Sequence, residues 1–340
     1  TDTSSNPETP ILPYQDLLST PNRNHIFTTR IDHKFSEKND FTFGWQIGRK
    51  KNQRTTGTST ARLDDALQIR NADSDAYNFT DNHVFGSRAV NQIRGQYSIF
   101  EPSFQTNDPL GPVVLIGVTN PITGFQTLIA GNSTAAINGD STGFPQNRKE
   151  RRVQVQDNFS FLSGKHSLKM GFDLMNIRSE ALGLGDATGT YNFTGVLNFQ
   201  NNSLARFRQN FGTASDVKNT YFGIFFNDEI RLTRMLTLSA GLRYERETAV
   251  SDNNNWGPRV AVAWDAFGDG KSVIRAGTGT FYNRVLLRTV ADSIQNTGGN
   301  LVSFDTNLIG TTASDSRRTA ILGSIANSFP NAFPDVEAVR

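Results

Sequence analysis

Residues 235–245 read Met-Leu-Thr-Leu-Ser-Ala-Gly-Leu-Arg-Tyr-Glu, and apolar and polar side chains alternate along them one by one. Side chains of a β-strand point in turn to opposite faces. The stretch therefore predicts a strand with one apolar and one polar face. The apolar side chains are those of Leu236, Leu238, Ala240, Leu242 and Tyr244.

The same alternation recurs along the chain, most clearly at Phe41–Arg49 and Ser167–Asn176. About ten strands are predicted in total. Tyr221–Thr233 is aromatic on both faces, so its neighbours have to orient it. The remaining predicted strands are His25–Ser36, Tyr77–Phe85, Val90–Phe100, Val153–Phe161, Tyr221–Thr233, Val260–Ala266 and Val273–Tyr282.

Composition argues against membrane-spanning helices and favours spanning strands. The mean hydropathy is -0.44, 36% of the residues are hydrophobic, and the longest apolar run, Val113–Val118, is short. A spanning helix needs about 20 apolar residues, whereas a tilted barrel strand needs only about 9–11 that alternate. The 25 Phe residues suit the aromatic girdles of an outer-membrane barrel.

Connections between the strands alternate between tight turns and long polar excursions, as in an outer-membrane barrel with short periplasmic turns and long extracellular loops. We therefore predict an all-β, antiparallel, up-and-down transmembrane β-barrel in the outer membrane of a Gram-negative bacterium. The tight turns are Ser36–Asp40, Gly86–Ala89, Ser163–His166, Thr233–Met235 and Gly268–Lys271. The long excursions are Gln53–Ala76, Ser103–Glu150, Glu180–Val217 and the shorter Ser251–Pro258.

The chain contains no linker that would divide it, so residues 1–340 are predicted to be a single barrel portion. Within it we expect a loop-like start at 1–24, strands and loops at 25–284, and a loop-like end at 285–340.

Several functions are disfavoured by charge and motif content. Lys and Arg number 34 against 32 Asp and Glu, too balanced for a nucleic-acid partner. The chain has no Cys and four scattered His, which predicts no metal site and no cofactor. Gly139–Gly143 has the spelling of a nucleophile elbow but lacks the buried strand before it and the helix after it. Gly270–Ser272 resembles the end of a phosphate loop, but Asp265 stands where the first glycine is required and a strand follows instead of a helix. We expect no catalytic residues and no enzymatic activity.

Candidate binding residues follow from the predicted faces. Polar-face residues that would look into a barrel lumen are Lys169, Asp173, Arg243, Glu245 and Arg275. The three longest excursions are expected to meet a ligand first, since specificity sits on loops carried by a rigid scaffold. A basic run interrupted by Glu150 either meets anionic lipid headgroups or is a solvated run of charge. Its members are Arg148, Lys149, Arg151 and Arg152.

From Asn219 to Tyr282 the chain resembles the barrels of TonB-dependent receptors, in particular the Oar-like group. Ser87–Arg94 is similar to the turn and rising strand of such barrels. The motifs that carry the resemblance are Tyr221-Phe222, Asn227-Asp228-Glu229, Leu236-Thr237-Leu238, Gly241-Leu242-Arg243-Tyr244-Glu245, Asn254-Asn255-Trp256-Gly257-Pro258-Arg259, Ala263-Trp264-Asp265, Gly268-Asp269-Gly270-Lys271, Ile274-Arg275-Ala276-Gly277 and Phe281-Tyr282.

This resemblance implies a receptor that imports a scarce substrate to the periplasm, with a barrel of roughly 22 strands, an N-terminal plug and energy supplied through TonB. The ten strands predicted here are too few to close such a barrel, so we expect the chain to be an internal fragment of it, with the plug domain absent. The implied partners are outer-membrane lipid, an unknown imported ligand, and the TonB complex through the missing plug.

Two other classes stay open at this stage. One is a passive porin or adhesin-like outer-membrane barrel whose ten or so strands are complete. The other is a soluble or filament-forming β-sheet structural protein, in which the apolar faces pack against another sheet or subunit.

Overall fold

Fifteen strands and two short helices make up the computed structural model, which describes residues 17, 19–54, 67–106, 111–119, 126–131, 146–201, 203–297 and 300–307. In chain order they are β1 (Asn22–Ser36), β2 (Asn39–Arg54), β3 (Gln68–Phe85), β4 (Ala89–Thr106), β5 (Val113–Thr119), β6 (Gln126–Gly131), β7 (Gln146–Ser163), β8 (His166–Gly183), β9 (Thr190–Phe193), α1 (Val196–Gln200), β10 (Arg206–Gly212), β11 (Ser215–Arg231), β12 (Leu236–Glu247), β13 (Asn255–Asp265), β14 (Val273–Gly279), α2 (Leu287–Gln295) and β15 (Leu301–Asn307).

Ten of these strands form one antiparallel sheet in the spatial order β1-β2-β3-β4-β7-β8-β11-β12-β13-β14. Strands that are neighbours in this order also follow each other along the chain, apart from the strands of the long connections, so the sheet is an up-and-down meander. Each of the ten predicted strands corresponds to one of them. The prediction of an all-β, antiparallel, ten-stranded arrangement is therefore confirmed.

Several strands extend beyond their predicted ends on the side of the long connections. β3 begins at Gln68 rather than Tyr77, β7 begins at Gln146 rather than Val153, and β8 continues to Gly183 rather than Asn176. The hydrogen-bond ladder is made by backbone groups, which every residue except proline supplies. Pairing therefore continues where the side chains no longer alternate between apolar and polar.

The five tight turns lie at one end of the strands and the long connections lie at the other end, as predicted. Gly86 and Gly164 occupy left-handed backbone positions (φ 69° and 59°) in the β3–β4 and β7–β8 turns, where a side chain would be strained. Asp265 accepts hydrogen bonds from the amides of Gly268 (3.0 Å) and Gly270 (2.9 Å). These bonds make Gly270–Ser272 part of a hairpin turn.

A second sheet is built from the long connections, with the order β15-β10-β9-β5-β6. We call it the outer sheet. Ser103–Glu150 contributes β5 and β6, Glu180–Val217 contributes β9 and β10, and β15 follows β14. This corrects the prediction of plain loops there and of a loop-like end at 285–340, as far as residue 307. Most of 1–24, and Gly139–Gly143, lie outside the described residues.

The outer sheet has an aromatic core of its own, formed by Tyr191, Phe193, Leu204 and Phe207. Tyr191 and Phe207 are completely buried, and their ring centroids are 4.7 Å apart. Burial raises the pKa of the Tyr191 hydroxyl to about 12. The four-residue strand β9 could not persist alone, so pairing and this core hold it in place.

Among the described residues, neither α1 nor α2 has the length and apolar character of a membrane-spanning helix.

A bidentate ion pair joins β10 to β15, which are separated by about a hundred residues of chain. Arg206 donates to Asp305 through Nε (2.9 Å) and Nη2 (2.6 Å). The hydrogen bond from Arg206 lowers the pKa of Asp305 below its ordinary value of 3.8. A lowered carboxyl pKa means that the pair stabilises the sheet above that value, and that the contribution is lost as pH falls through the folded pKa.

We predict that Asp305→Asn weakens the β10–β15 pairing at pH 7 by less than about 1 kcal/mol, because the pair is half exposed. The difference from the parent protein should shrink as pH falls below 3.8, the ordinary Asp value. Hydrogen exchange of the β10 and β15 amides, corrected for the intrinsic effect of pH, measures it. Asp252→Asn in the β12–β13 connection is the matched control. A difference that persists unchanged at acid pH would contradict the assignment.

Candidate functional site

The ten-stranded sheet has two chemically different faces, which its register defines. Directly paired residues of antiparallel strands lie on the same face. Gln156, Asp173, Gly223 and Glu245 form one such row across β7, β8, β11 and β12. We call the face that carries this row the polar face. The opposite face, which carries Trp45, Tyr77, Tyr97, Phe172 and Phe222, we call the aromatic face.

All five predicted lumen residues lie on the polar face. Lys169 pairs with Ser160, Asp173 and Glu245 share the row given above, Arg243 pairs with Phe225, and Arg275 pairs with Ala263. The alternation of the sequence thus placed them on one surface. Which of them contact one another depends on side chains that the alternation does not describe.

Tyr221 is the centre of a hydrogen-bonded network on this face. It is 1% exposed, and its hydroxyl donates to Glu245 Oε1 (2.7 Å) and accepts from Arg243 Nη2 (2.8 Å). A Cβ atom at Gly223 would lie 2.6 Å from the Tyr221 hydroxyl oxygen, too close for a real contact. Glycine at 223 therefore leaves room for the Tyr221 hydroxyl between β11 and β12.

Arg284, which follows β14, brings Asp173 into the same network. Its Nη2 donates to Asp173 Oδ2 (3.0 Å), and its guanidinium lies 4.0 Å from the centroid of the Tyr221 ring. Gln154 donates to the other Asp173 oxygen at 2.7 Å. Asp173 is only 7% exposed, so a charge that would be costly without partners has two. Three of the five predicted residues, Asp173, Arg243 and Glu245, are thus joined through Tyr221.

The backbone beside Arg284 is held by a second buried carboxylate. Glu247 accepts hydrogen bonds from the Asn219 side chain (3.0 Å) and from the Val285 amide (3.3 Å). Asn219 and Glu247 are both buried. The chain is therefore tied to the polar face at two adjacent residues, Arg284 and Val285.

Helix α2 then continues across the same face. Leu287 packs against the cluster of Met175, Ile177 and Tyr221. At the other end of the helix, the Gln295 side chain accepts from the Gly183 amide (3.3 Å) and donates to its carbonyl (3.2 Å). Residues 284–295, which we call the wall segment, cover the part of the polar face nearest the outer sheet.

Lys169 and Arg275 do not join this network. Lys169 lies nearer the tight turns, beside an open depression of about 330 Å³ that Asn82, Arg94 and Asn158 also line. Arg275 and Glu229 line another depression, of about 470 Å³, over β12 and β13. The polar face therefore has a hydrogen-bonded region next to the outer sheet and, towards the tight turns, two open depressions.

The predicted headgroup residues 148–152 are divided between the two faces. Lys149 and Arg151 pair with Glu180 and Arg178 on the aromatic face. Arg148 and Arg152 alternate with them and lie on the polar face, and Arg148 stacks over the Phe100 ring at 5.7 Å. A continuous run of charge in a strand cannot form one patch, because successive side chains point in opposite directions.

Sequence reasoning did not identify Tyr221, Glu247 and Arg284 as site residues. Tyr221 lies in the segment that is aromatic on both faces, and the register with β8 and β12 is what orients it. Arg284 lies beyond the last predicted strand, and no local pattern marks it. Among the described residues no group of three or more His, Asp or Glu side chains could hold a metal ion.

A family of outer-membrane proteins matches nearly the whole chain. The model of the outer membrane beta barrel domain matches residues 3–255 and 246–339. The chain belongs to this family. Its localisation is therefore the outer membrane, as the sequence predicted. No curated protein matches the chain.

Among solved structures, the outer membrane transporter YddB from Escherichia coli has a similar fold. The TM-score is 0.59 at 13% sequence identity, over 83% of this chain and 35% of that protein. This chain thus spans about a third of the length of the transporter it matches. At this identity the likeness establishes the fold of an outer-membrane barrel and not the substrate.

We predict that Arg284→Gln releases the wall segment. The substitution removes one of the two partners of the buried Asp173 carboxylate, and losing such a charge-assisted bond costs roughly 1.5–3 kcal/mol. Hydrogen exchange at residues 284–295 should accelerate by about tenfold or more.

Arg288→Gln is the matched control, since Arg288 lies on the same segment with its side chain 77% exposed and, among the described residues, pairs only with Asp292 at 3.7 Å. Equal exchange in the two variants would show that Arg284 does not anchor the wall segment.

Proposed function

We propose that this chain forms wall and outer surface of a TonB-dependent receptor, which binds a scarce substrate outside the cell and imports it to the periplasm. The membership in an outer-membrane barrel family and the fold shared with an outer-membrane transporter support this proposal. The activity we assign is binding and transport, without bond chemistry and without a cofactor. TonB and a plug domain enter the proposal only through the resemblance of residues 219–282.

One observation carries the proposal, namely that two separate long connections and the segment after β14 fold together into the outer sheet. β5 and β6 come from one connection, β9 and β10 from another, and β15 follows α2, yet they share one hydrogen-bonded sheet. A passive channel needs loops that leave its mouth open. A receptor needs a defined surface at that mouth, because ligand contacts must be held in place by rigid elements. The outer sheet provides such a surface.

The polar face supports a role beneath that surface. Asp173 and Glu247 hold the wall segment through Arg284 and the Val285 amide, and Glu245 is engaged by Arg243 and Tyr221, so none of the three carboxylates is without a partner. Ligand contact is therefore assigned first to the outer sheet and the connections that carry it. Of the five predicted lumen residues, Lys169 and Arg275, beside open depressions, are exposed.

The two edges of the ten-stranded sheet support a larger barrel. Within the described residues β1 pairs only with β2, and β14 pairs only with β13. Unpaired backbone groups are too costly inside the hydrocarbon region of a bilayer, so a spanning sheet has to close. We propose that further strands pair with β1 and β14 in a barrel of roughly 22 strands. The rival is closure of these ten strands on themselves, as in a small passive barrel.

We predict that β1 and β14 do not cross-link to each other in the protein produced from its complete gene. The chain has no cysteine, so introduced thiols report without background. Thr28→Cys would be combined with Val273→Cys, Arg275→Cys or Gly277→Cys, all on the polar face. A disulfide forms only where the Cα atoms are within about 7 Å.

The positive control for this experiment is Thr28→Cys with Gln46→Cys, because these residues are register partners in β1 and β2. The control should oxidise readily in the membrane. Oxidation of any β1–β14 pair at a similar rate would favour a closed ten-stranded barrel.

We further predict that the complete protein, reconstituted in planar bilayers, is closed in the absence of TonB and is retained by the immobilised periplasmic domain of TonB. A receptor is shut until energy is supplied, whereas a porin conducts steadily. Bilayer conductance and column retention measure the two properties. Steady conductance without retention would favour the passive porin, and solubility without detergent would favour the soluble sheet protein.

A further inference from the structure

A row of charged side chains crosses the aromatic face near the long connections. His25 pairs with Arg49, Asp73 with Glu101, and Lys149 with Glu180, which in turn pairs with Asp216. Arg49 also contacts Asp75, and Lys149 contacts Glu101. We call these residues the charged row. It runs over seven neighbouring strands, from β1 to β11.

The charged row lies directly beyond the apolar part of the aromatic face. On β1 and β2, Phe27 and Trp45 are the nearest rings, with centroids 5.8 Å apart, and Trp45 stacks on Tyr77. On β11 the aromatic face carries Phe222, Ile224 and Phe226 between Lys218 and Asp228. Ten residues of tilted strand span about 26 Å along the barrel axis, close to the apolar height of outer-membrane barrels.

A depression of about 690 Å³ opens along this row. Six Lys or Arg residues and three acidic residues line it, but two of the cations, Lys50 and Arg148, belong to the polar face by register. On the aromatic face four cations and three carboxylates remain, a formal excess of one positive charge. On the aromatic face its basic side is formed by β1 and β2. The side chains there are those of Arg23, His25, Arg49 and Lys51.

Two of these cations have no acidic partner within the described residues. In the described part of the chain, neither Arg23 nor its register partner Lys51 has a hydrogen bond or ion pair through its side chain, and both residues are exposed. Of the three acidic lining residues, Glu101 is engaged by Lys149 and Glu180 by Arg151 and Arg178, and the third, Asp73, lies on β3 and not on β1 or β2. The depression therefore presents uncompensated positive charge on the β1–β2 side.

We propose that this depression binds the phosphate groups of a phosphorylated glycolipid in the outer leaflet of the membrane. Arg offers a planar fork that matches phosphate, and Lys supplies a mobile point charge. The lipid is the source of the phosphate because the site lies on the face that an outer-membrane barrel turns to lipid. Acyl chains would lie along Phe27, Ile47 and Trp45, directly below the charges.

The site differs from the basic run that the sequence pointed to. Of the residues 148–152, only Lys149 and Arg151 lie on the aromatic face, and both are already paired with acidic side chains. The uncompensated charge belongs to β1 and β2 instead. The assignment rests on the outer-membrane localisation and does not depend on import or on TonB.

The test compares lipid retention in nanodiscs of phosphatidylcholine that contain either bisphosphorylated lipid A or its dephosphorylated form. The parent protein should retain the phosphorylated glycolipid preferentially. Arg23→Gln/Lys51→Gln should lower that retention roughly tenfold, equivalent to about 1.4 kcal/mol. Native mass spectrometry of the purified complexes counts the bound lipid.

The matched control is Lys38→Gln/Arg234→Gln, which removes one Lys and one Arg from exposed tight turns at the opposite end of the strands. It should bind as the parent does. Arg23→Lys/Lys51→Arg keeps both charges and should retain the phosphorylated glycolipid as the parent does. A loss seen only in the Gln variant is then an effect of charge and not of misfolding.

Three results would overturn the proposal. The first is equal retention of the two lipids by the parent, which would make the charged row a merely solvated surface. The second is undiminished retention by Arg23→Gln/Lys51→Gln. The third is displacement of the lipid by inorganic phosphate at matched concentration, which would assign the depression to a free anion instead of a lipid.

Discussion

The antiparallel hydrogen-bond ladder is the constraint on which the rest of this structure depends. It runs through ten strands in the order in which the chain supplies them, so directly paired residues form rows that cross the whole sheet. One row places Asp173, Gly223 and Glu245 side by side, and another places His25 beside Arg49 and Lys149 beside Glu180. A shift of one residue between any two strands would turn one partner of each pair to the opposite face.

The two faces meet different demands. On the aromatic face, large apolar side chains such as Phe172, Phe222 and Trp264 are between a third and a half exposed, which suits contact with lipid. On the polar face, Asp173 pairs with Arg284 and Glu245 with Arg243, while the buried Glu247 accepts hydrogen bonds from the Asn219 side chain and the Val285 amide. Such a buried network is stable only when each member has a partner, and Tyr221 provides the link that joins the charges of β8 to those of β12.

The outer sheet and the wall segment belong to one arrangement. β15 reaches β10 because α2 first crosses the polar face, and α2 is held there by Arg284 at one end and Gln295 at the other. The outer sheet, where we propose that ligand binds, is therefore linked to the wall segment through the polypeptide chain itself. This link follows from the chain order β14, α2, β15 and does not require a contact between the two sheets.

The sequence by itself determined the ten strands, the tight turns and the side of the sheet on which Lys169, Asp173, Arg243, Glu245 and Arg275 lie. Those features depend on alternation and on turn residues, which act over a few neighbouring positions. Tertiary structure alone decided that long excursions pair into the outer sheet, that β7 begins at Gln146 beside β4 and β8, and that Arg284 reaches Asp173. Such pairings join residues that are tens to more than a hundred positions apart, so no local pattern encodes them. Register and packing select them after the strands have formed.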